Sequence, residues 1–349
     1  LVYNRGMAKA RIAINGFGRI GRLFFRAAFG AQDIEIAAIN DLGDVENLAY
    51  LLKYDTVYGR YGKDIKADLS AGNLVVDGVP IKFLQVKEPT QLPWKDMNVD
   101  IVVESTGLFE SYEKAKVHLV AGAKRVVITA PAKDEDGTDG KTILMGVNED
   151  ELKTCAITSN GSCTTNSASP VIEVLSGNPG IVKAMLSTVH SYTATQSLVD
   201  GPIRGGKDYR RGRAAAQNIA PSTTGAAIAV TRAIPELKGM FDGMAFRVPS
   251  VTGSISDITF LAKRKTSAEE INQILRDAAA SPRWQGILKV SDDQLVSSDI
   301  VGEPYGAIVD LGFTKVVDGD LVKVLSWYDN EAGYVSTLVK HVQKIASII

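Results

Sequence analysis

The sequence predicts an α/β protein of two units, a parallel-sheet unit followed by an α+β unit with a mostly antiparallel sheet. Three observations carry this. A glycine-rich loop, Gly16-Phe17-Gly18-Arg19-Ile20-Gly21, sits between a short apolar strand and a helical pattern near the start. Apolar strands then alternate with helical stretches to about residue 160, the pattern of a parallel sheet with right-handed crossovers. Beyond that point strands predominate. The 349 residues suffice for two cores.

Composition narrows the function classes. The chain is 45% hydrophobic and 23% charged, an ordinary globular balance. A net charge of -1 gives no basic field for nucleic acid or an anionic membrane. No apolar run has the length of a membrane span. Two cysteines, Cys155 and Cys163, make no disulfide framework, so a reducing cytoplasm is expected. Three histidines, far apart, give no metal motif. Leu1 to Gly6, ahead of Met7, lack a secretory hydrophobic region and read as a cloning remnant.

The first unit follows in order. Arg11-Ile12-Ala13-Ile14 is a strand, and Arg22 to Ala28 has helical periodicity. In the loop between them Gly16 permits the tight turn, Gly18 lets backbone approach a pyrophosphate, and Gly21 lets helix pack on strand. The pyrophosphate would rest on the helix N-terminus. The next strand, Ile34 to Ile39, ends in Asn40-Asp41, with Asp41 about twenty residues beyond Gly21. A carboxylate there accepts from ribose hydroxyls and repels a 2′-phosphate, which favours NAD over NADP. An ordinary βα turn with a solvated Asp is the alternative, and loop, strand and acid together argue against it. The unit is therefore expected to be Rossmann-type.

Tyr50 to Tyr61 shows no clear period. Strands are expected around Leu74-Val75-Val76 and Ile81 to Leu84, joined by a turn at Asp77-Gly78. Val99 to Glu104 is a strand ending at Ser105-Thr106-Gly107. A helix covers Tyr112 to Ala121, and Arg125 to Ile128 is a strand closed by Thr129-Ala130-Pro131. Asp41, Ser105 to Gly107 and Thr129 fall at strand carboxyl ends, so one cofactor crevice can collect them. Residues 132 to 141 read as a solvated loop.

Ser159-Asn160-Gly161-Ser162-Cys163-Thr164-Thr165-Asn166 joins a strand end to a helix start. Unpartnered N–H groups and the helix dipole there favour a thiolate, so the Cys163 pKa is expected to fall toward neutrality. A second strand, Ala184 to Val189, ends in His190. Residues 200 to 221 are rich in Gly and Arg (Arg204, Arg210, Arg211, Arg213, with Lys207) and read as a functional loop. Ser222-Thr223-Thr224-Gly225 is expected to cap a helix from Ala226 to Arg232. Strands at Ile255 to Lys263 and Leu321 to Trp327, a helix from Ala268 to Ala280 and an amphipathic helix from Val335 to Ile348 complete the chain.

Of the three histidines, His118 reads as a helix-surface residue and His341 as structural. His190 is the best partner for Cys163. A Cys–His pair beside a nicotinamide suits aldehyde oxidation: the thiolate adds to the aldehyde, the imidazole takes the hydroxyl proton as hydride leaves, and a thioester remains. Ser162, Thr164, Thr193, Thr224, Gly225, Arg211 and Arg247 can supply oxyanion pockets. Each alone is better explained by solvated surface, but a phosphorylated substrate gives their clustering a use.

From Ser159 to Asn166 the chain closely resembles the nucleophile signature of the phosphorylating glyceraldehyde-3-phosphate dehydrogenase family. The likeness runs from Arg11 to the C-terminus through Asn15 to Arg22, Ser105-Thr106-Gly107, His190 with Thr193 to Gln196, Asp200-Gly201-Pro202, Ser222 to Gly225, and Trp327-Tyr328-Asp329-Asn330-Glu331. It implies Cys163 as nucleophile and His190 as base. It implies Ser162, Thr164, Thr224, Gly225 and Arg211 around attacking inorganic phosphate, and Thr193 and Arg247 around the phosphate of glyceraldehyde 3-phosphate. Gly16, Gly18, Arg19, Ile20, Gly21, Asp41, Lys87, Thr129 and Asn330 would contact NAD, with the Asn330 amide at the carboxamide. By the resemblance, residues 7–162 and 330–349 form the NAD-binding domain and 163–329 the catalytic domain. The resemblance further implies 1,3-bisphosphoglycerate as product, in glycolysis, gluconeogenesis or carbon fixation, and a cytoplasmic homotetramer whose Arg-rich loop packs beside a neighbour's cofactor site. Departures are Ser167 for a frequent second cysteine, Gly161 for a common Ala, Lys87-Glu88-Pro89 for Arg-Asp-Pro, Ala332 for a usual Trp, and an insertion at Arg204-Gly205-Gly206. The nearest alternatives are the related erythrose-4-phosphate dehydrogenase, which hydrolyses its thioester, and a dinucleotide-binding protein without turnover.

Overall fold

The computed structural model describes residues 9–203 and 207–349; the expectations for Leu1 to Gly6, Met7 and Arg204-Gly205-Gly206 lie outside the described residues. The chain divides into two compact units. Unit 1 takes the chain up to Ile143, Asp150–Asn160 and Leu338–Ile349. Unit 2 takes Leu144–Glu149 and Gly161–Thr337.

Unit 1 contains β1 (Ala10–Asn15), α1 (Arg19–Ala28), β2 (Ile34–Asn40), α2 (Val45–Lys53), the small hairpin β3 (Tyr54–Asp55) and β4 (Gly59–Arg60), β5 (Ile65–Asp68), β6 (Asn73–Val76), β7 (Val79–Leu84), β8 (Ile101–Glu104), α3 (Tyr112–Val120), β9 (Arg125–Ile128), β10 (Gly140–Thr142) and β11 (Ile157–Ser159). One sheet runs β10-β11-β9-β8-β1-β2-β7-β6-β5. Neighbours from β10 to β7 are parallel; β6 and β5 add an antiparallel edge. The central strands β1 and β8 bury residues on both faces, as strands covered on both sides must, which is why they read as apolar runs. Asp77 (φ 48) and Gly78 (φ 77) make the tight turn between β6 and β7. Helix α2 was not legible: the patternless stretch from Tyr50 straddles its end and the β3–β4 hairpin.

Unit 2 contains α4 (Cys163–Gly177), β12 (Ile181–Ser191), β13 (Ala220–Thr223), α5 (Ala226–Ala233), β14 (Phe241–Val248), β15 (Ser254–Ala262), α6 (Ala268–Ala280), β16 (Leu288–Ser291), β17 (Ala307–Val317) and β18 (Leu321–Tyr328). Its sheet runs β13-β14-β12-β15-β18-β17-β16. It is mostly antiparallel, with parallel pairs at β12/β14 and β16/β17. Strand β15 alternates buried and half-buried residues along its length, the period of a sheet covered on one face. Helices α4, α5 and α6 pack against this sheet. Met185, Val189 and Met244 stand exposed on its open face. Strands β14, β16 and β17 were not anticipated. Ser222 lies in β13 rather than in a helix cap, because Ala220 to Thr223 pair with β14.

Helix α7 (Ala332–Ala346) runs from unit 2 into unit 1. Its His341 is buried in unit 1, with Nε2 2.9 Å from Thr158 Oγ1 and Nδ1 3.0 Å from Asn160 Oδ1. His118 is fully buried, not on the surface of α3. Trp94 and Glu104 hold it from inside, 24 and 14 residues away in sequence, and helical periodicity could not disclose them.

Candidate active site

Local chemistry fixes Cys163 at the first position of α4. Ser162 is the N-cap, in a reciprocal box with Thr165: Thr165 N–H donates to Ser162 Oγ at 3.1 Å, and Ser162 N–H donates to Thr165 Oγ1 at 3.1 Å. Gly161 enters this turn at φ +63, a left-handed conformation that suits glycine better than alanine.

The Cys163 sulfur lies 3.3 Å from His190 Nε2. Pairing of β12 with β14 places His190 beside Arg247 on one face of the sheet. Arg247 Nη1 is 2.6 Å from His190 Nδ1 and donates to the Ser191 carbonyl at 3.1 Å. That carbonyl is itself 2.6 Å from Nδ1. Nδ1 thus has two rival partners. A guanidinium only donates, so with Arg247 engaged the imidazole proton sits on Nε2, facing sulfur. With the carbonyl engaged, Nδ1–H donates and Nε2 is free to accept a proton.

Burial pushes the Cys163 thiol up, while Arg247 and then the Thr164 hydroxyl and N–H pull it down. The expectation of a lowered thiol pKa, drawn from the helix start alone, is thereby reversed by desolvation that sequence does not reveal. Burial and then Arg247 lower the His190 imidazole to about 3, with the Ser191 carbonyl opposing them. Neither partner charges easily alone.

Tyr328 was missed as a site residue. Its ring meets His190 edge-on at 5.9 Å, and its hydroxyl is 2.8 Å from both Thr164 Oγ1 and Thr188 Oγ1. Burial first, and the Cys163 charge second, raise its phenol pKa, so it remains neutral. The alternation of β18, which turns Val322, Val324, Ser326 and Tyr328 inward, was the available signal.

Around this core the basic loop divides. Arg210 pairs with Asp208 at 3.0 Å and Arg213 with Asp200 at 2.7 Å, both exposed ion pairs. Arg211 donates to Ser222 Oγ at 3.0 Å and to Thr195 Oγ1 at 3.5 Å, and its charge reaches His190 and Arg247. Thr193 Oγ1 is 3.0 Å from Thr195 Oγ1. Thr224 Oγ1 accepts from Ala226 N–H at 3.2 Å, and exposed Gly225 is the N-cap of α5. Thr164 is buried with its hydroxyl toward Tyr328. Asn330 Oδ1 accepts from Thr252 Oγ1, Gly253 N–H and Ser254 Oγ at 3.2, 3.2 and 3.0 Å, which leaves its NH2 as the end to offer an acceptor.

In unit 1 the predicted cofactor residues gather at adjacent strand ends. Gly16 has φ +94, and a Cβ on Gly21 would lie 2.1 Å from the Gly16 carbonyl oxygen, so neither position accommodates a side chain. Gly18 begins α1 with no side-chain cap and open space around it, which fits a pyrophosphate. Half-buried Ile20 is in the first turn. Asp41 accepts from Phe17 N–H at 2.6 Å and Gly43 N–H at 2.8 Å, so its carboxylate is braced by the glycine-rich loop. Thr129 directly follows β9, donating from Oγ1 to the Glu104 carbonyl at 3.0 Å. Arg19 is paired with Asp55 at 3.0 Å. Lys87 is exposed beyond β7. Among the described residues there is no cluster that could hold a metal and no helix long and apolar enough to cross a membrane.

Comparison with known proteins agrees with the motifs. The model of the glyceraldehyde 3-phosphate dehydrogenase NAD binding domain matches residues 10–112, and that of the C-terminal domain matches residues 162–330. The chain is 50% identical over 336 residues to the glyceraldehyde-3-phosphate dehydrogenases of Mycobacterium avium and Mycobacterium tuberculosis (strain ATCC 25618 / H37Rv), covering 94% of this chain and 96% of each relative. It is 48% identical over 334 residues to that of Streptomyces coelicolor, with the same coverage. The chain belongs to the glyceraldehyde 3-phosphate dehydrogenase family and is an NAD-dependent oxidoreductase.

Proposed function

We propose that this chain oxidises glyceraldehyde 3-phosphate and joins the product to inorganic phosphate, giving 1,3-bisphosphoglycerate. The observation that carries the reading is the contact series Cys163, His190, Arg247, at 3.3 and 2.6 Å. In this scheme the substrate's phosphate is held by Arg247 and Thr193. An anion there draws Arg247 off Nδ1, so Nδ1–H turns to the Ser191 carbonyl and Nε2 becomes a base.

The Cys163 sulfur then bonds to the aldehyde carbon, and the thiol proton passes to His190. His190 returns that proton to the oxyanion, which gives a hemithioacetal and frees Nε2 again. Bound NAD supplies the hydride acceptor. His190 removes the hydroxyl proton as the C–H bond breaks, leaving a thioester on Cys163. Arg211, Ser162, Thr164, Thr224 and Gly225 orient inorganic phosphate, whose oxygen attacks the thioester carbon. The C–S bond breaks and the acyl phosphate departs. Glycines 16, 18 and 21 with Arg19, Ile20, Asp41, Lys87 and Thr129 hold the cofactor, and the Asn330 NH2 donates to its carboxamide. Exposed Met185, Val189 and Met244 on the open sheet face support burial against further copies of the chain, in keeping with a homotetramer.

The test is steady-state NADH formation from glyceraldehyde 3-phosphate with and without inorganic phosphate. Sustained turnover only with phosphate is expected. Equal turnover without it would favour hydrolysis of the thioester, as in an erythrose-4-phosphate dehydrogenase.

A further inference from the structure

Beneath the dinucleotide loop, unit 1 buries a polar network that the chemistry does not use. Glu104, at the end of β8, is 2% exposed. Its Oε1 accepts from Thr106 N–H at 2.8 Å and from the Thr106 hydroxyl. Its Oε2 accepts from Asn15 Nδ2 at 2.6 Å and lies 2.9 Å from His118 Nε2. Trp94 Nε1–H donates to His118 Nδ1 at 3.2 Å. An indole N–H only donates, so Nδ1 must accept and the His118 proton is on Nε2, aimed at Glu104.

The carboxylate therefore sets a direction for what lies beyond it. Asn15 must turn its NH2 to Glu104 and its Oδ1 away. That oxygen accepts from Asn40 Nδ2 at 2.7 Å. Asn40 Nδ2 also donates to the Val86 carbonyl at 3.1 Å, and Asn40 Oδ1 accepts from Val86 N–H at 2.9 Å. Asn15 precedes Gly16, Asn40 precedes Asp41, and Val86 precedes Lys87. One buried acceptor thus orients a chain of amides across β8, β1, β2 and the segment after β7.

We infer that Glu104 is a positioning residue for the NAD site: its carboxylate fixes the amide chain Asn15–Asn40–Val86, and so aligns Gly16 and Asp41 for the cofactor. This rests on the cofactor site proposed above. A glutamine at 104 keeps the Thr106 bonds through its oxygen. Its NH2 then faces the donors of Asn15 and His118, and Trp94 prevents the imidazole from exchanging tautomer. Asn15 relieves the conflict only by reversing, which Asn40 and both polar groups of Val86 oppose.

The test is the Kd for NAD by calorimetry, measured well below each protein's Tm, for wild type, Glu104→Gln, Asp41→Asn and Val126→Ala. The last is a buried change in the neighbouring strand β9 that lowers stability without removing any polar group of the network. Glu104→Gln is expected to weaken NAD binding about tenfold or more, and to raise the KM for NAD while kcat at saturating NAD holds. Val126→Ala should lower Tm with NAD affinity kept. NAD affinity within twofold of wild type in Glu104→Gln, or an equal loss in Val126→Ala at matched Tm, would overturn the inference. Unchanged affinity in Asp41→Asn would instead overturn the cofactor-site reading on which it stands. If Glu104→Gln does not fold, the nitrogen-15 spectrum of wild-type His118 decides: a proton on Nε2 is expected, and a proton on Nδ1 refutes the directed chain.

Discussion

Replacing His190 with asparagine removes the only imidazole within reach of Cys163 among the described residues. The magnitude follows from the 3.3 Å contact. A thiolate and an imidazolium at that separation attract by about 5 kcal/mol at an effective dielectric constant of about 20. Desolvation of buried His190 and half-buried Cys163 offsets part of this. A remainder of about 3 kcal/mol corresponds to about two pKa units. The sign is upward, because the lost partner favoured the anion. The assay is the rate of alkylation by iodoacetamide against pH, with mass spectrometry to place the label on Cys163 rather than buried Cys155. The variant's profile should move up by about two units. Turnover should fall by about 10²- to 10⁴-fold through loss of the base. An unchanged alkylation profile would show that His190 does not stabilise the thiolate, whatever the distance between them.

Three further outcomes are expected. Arg247→Lys keeps a charge but loses the planar fork, so kcat/KM for the phosphorylated aldehyde should fall about tenfold or more, with NAD affinity unchanged in calorimetry. Asp41→Asn should narrow the preference for NAD over NADP, read as the ratio of kcat/KM values, because the carboxylate that repels a 2′-phosphate is gone. Gly21→Ala would press a Cβ to within 2.1 Å of the Gly16 carbonyl, so NAD binding should weaken sharply and Tm should fall, both measurable on the purified protein.

The parts of the site that sequence disclosed are those whose physics is local. The loop from Gly16 to Gly21 and the turn before Cys163 each carry their own start signal, and the structure places both where a strand end meets a helix N-terminus. Arg247 is different. In sequence it is one charge in a strand interrupted by Asp242 and Gly243, and only pairing with β12 sets it against His190. His118 looked solvent-facing because its partners, Trp94 and Glu104, come from distant segments. The direction of the Cys163 shift depends on desolvation, which no short window discloses.

The central claim is that a substrate-derived acyl group rides on the Cys163 sulfur and is released by phosphate. Intact-protein mass spectrometry after brief mixing with glyceraldehyde 3-phosphate and NAD, without phosphate, tests it most directly. The account predicts a phosphoglyceroyl adduct on Cys163 that disappears when phosphate is added and never forms in Cys163→Ser. An adduct elsewhere, or NADH formation by Cys163→Ser at the wild-type rate, would contradict it.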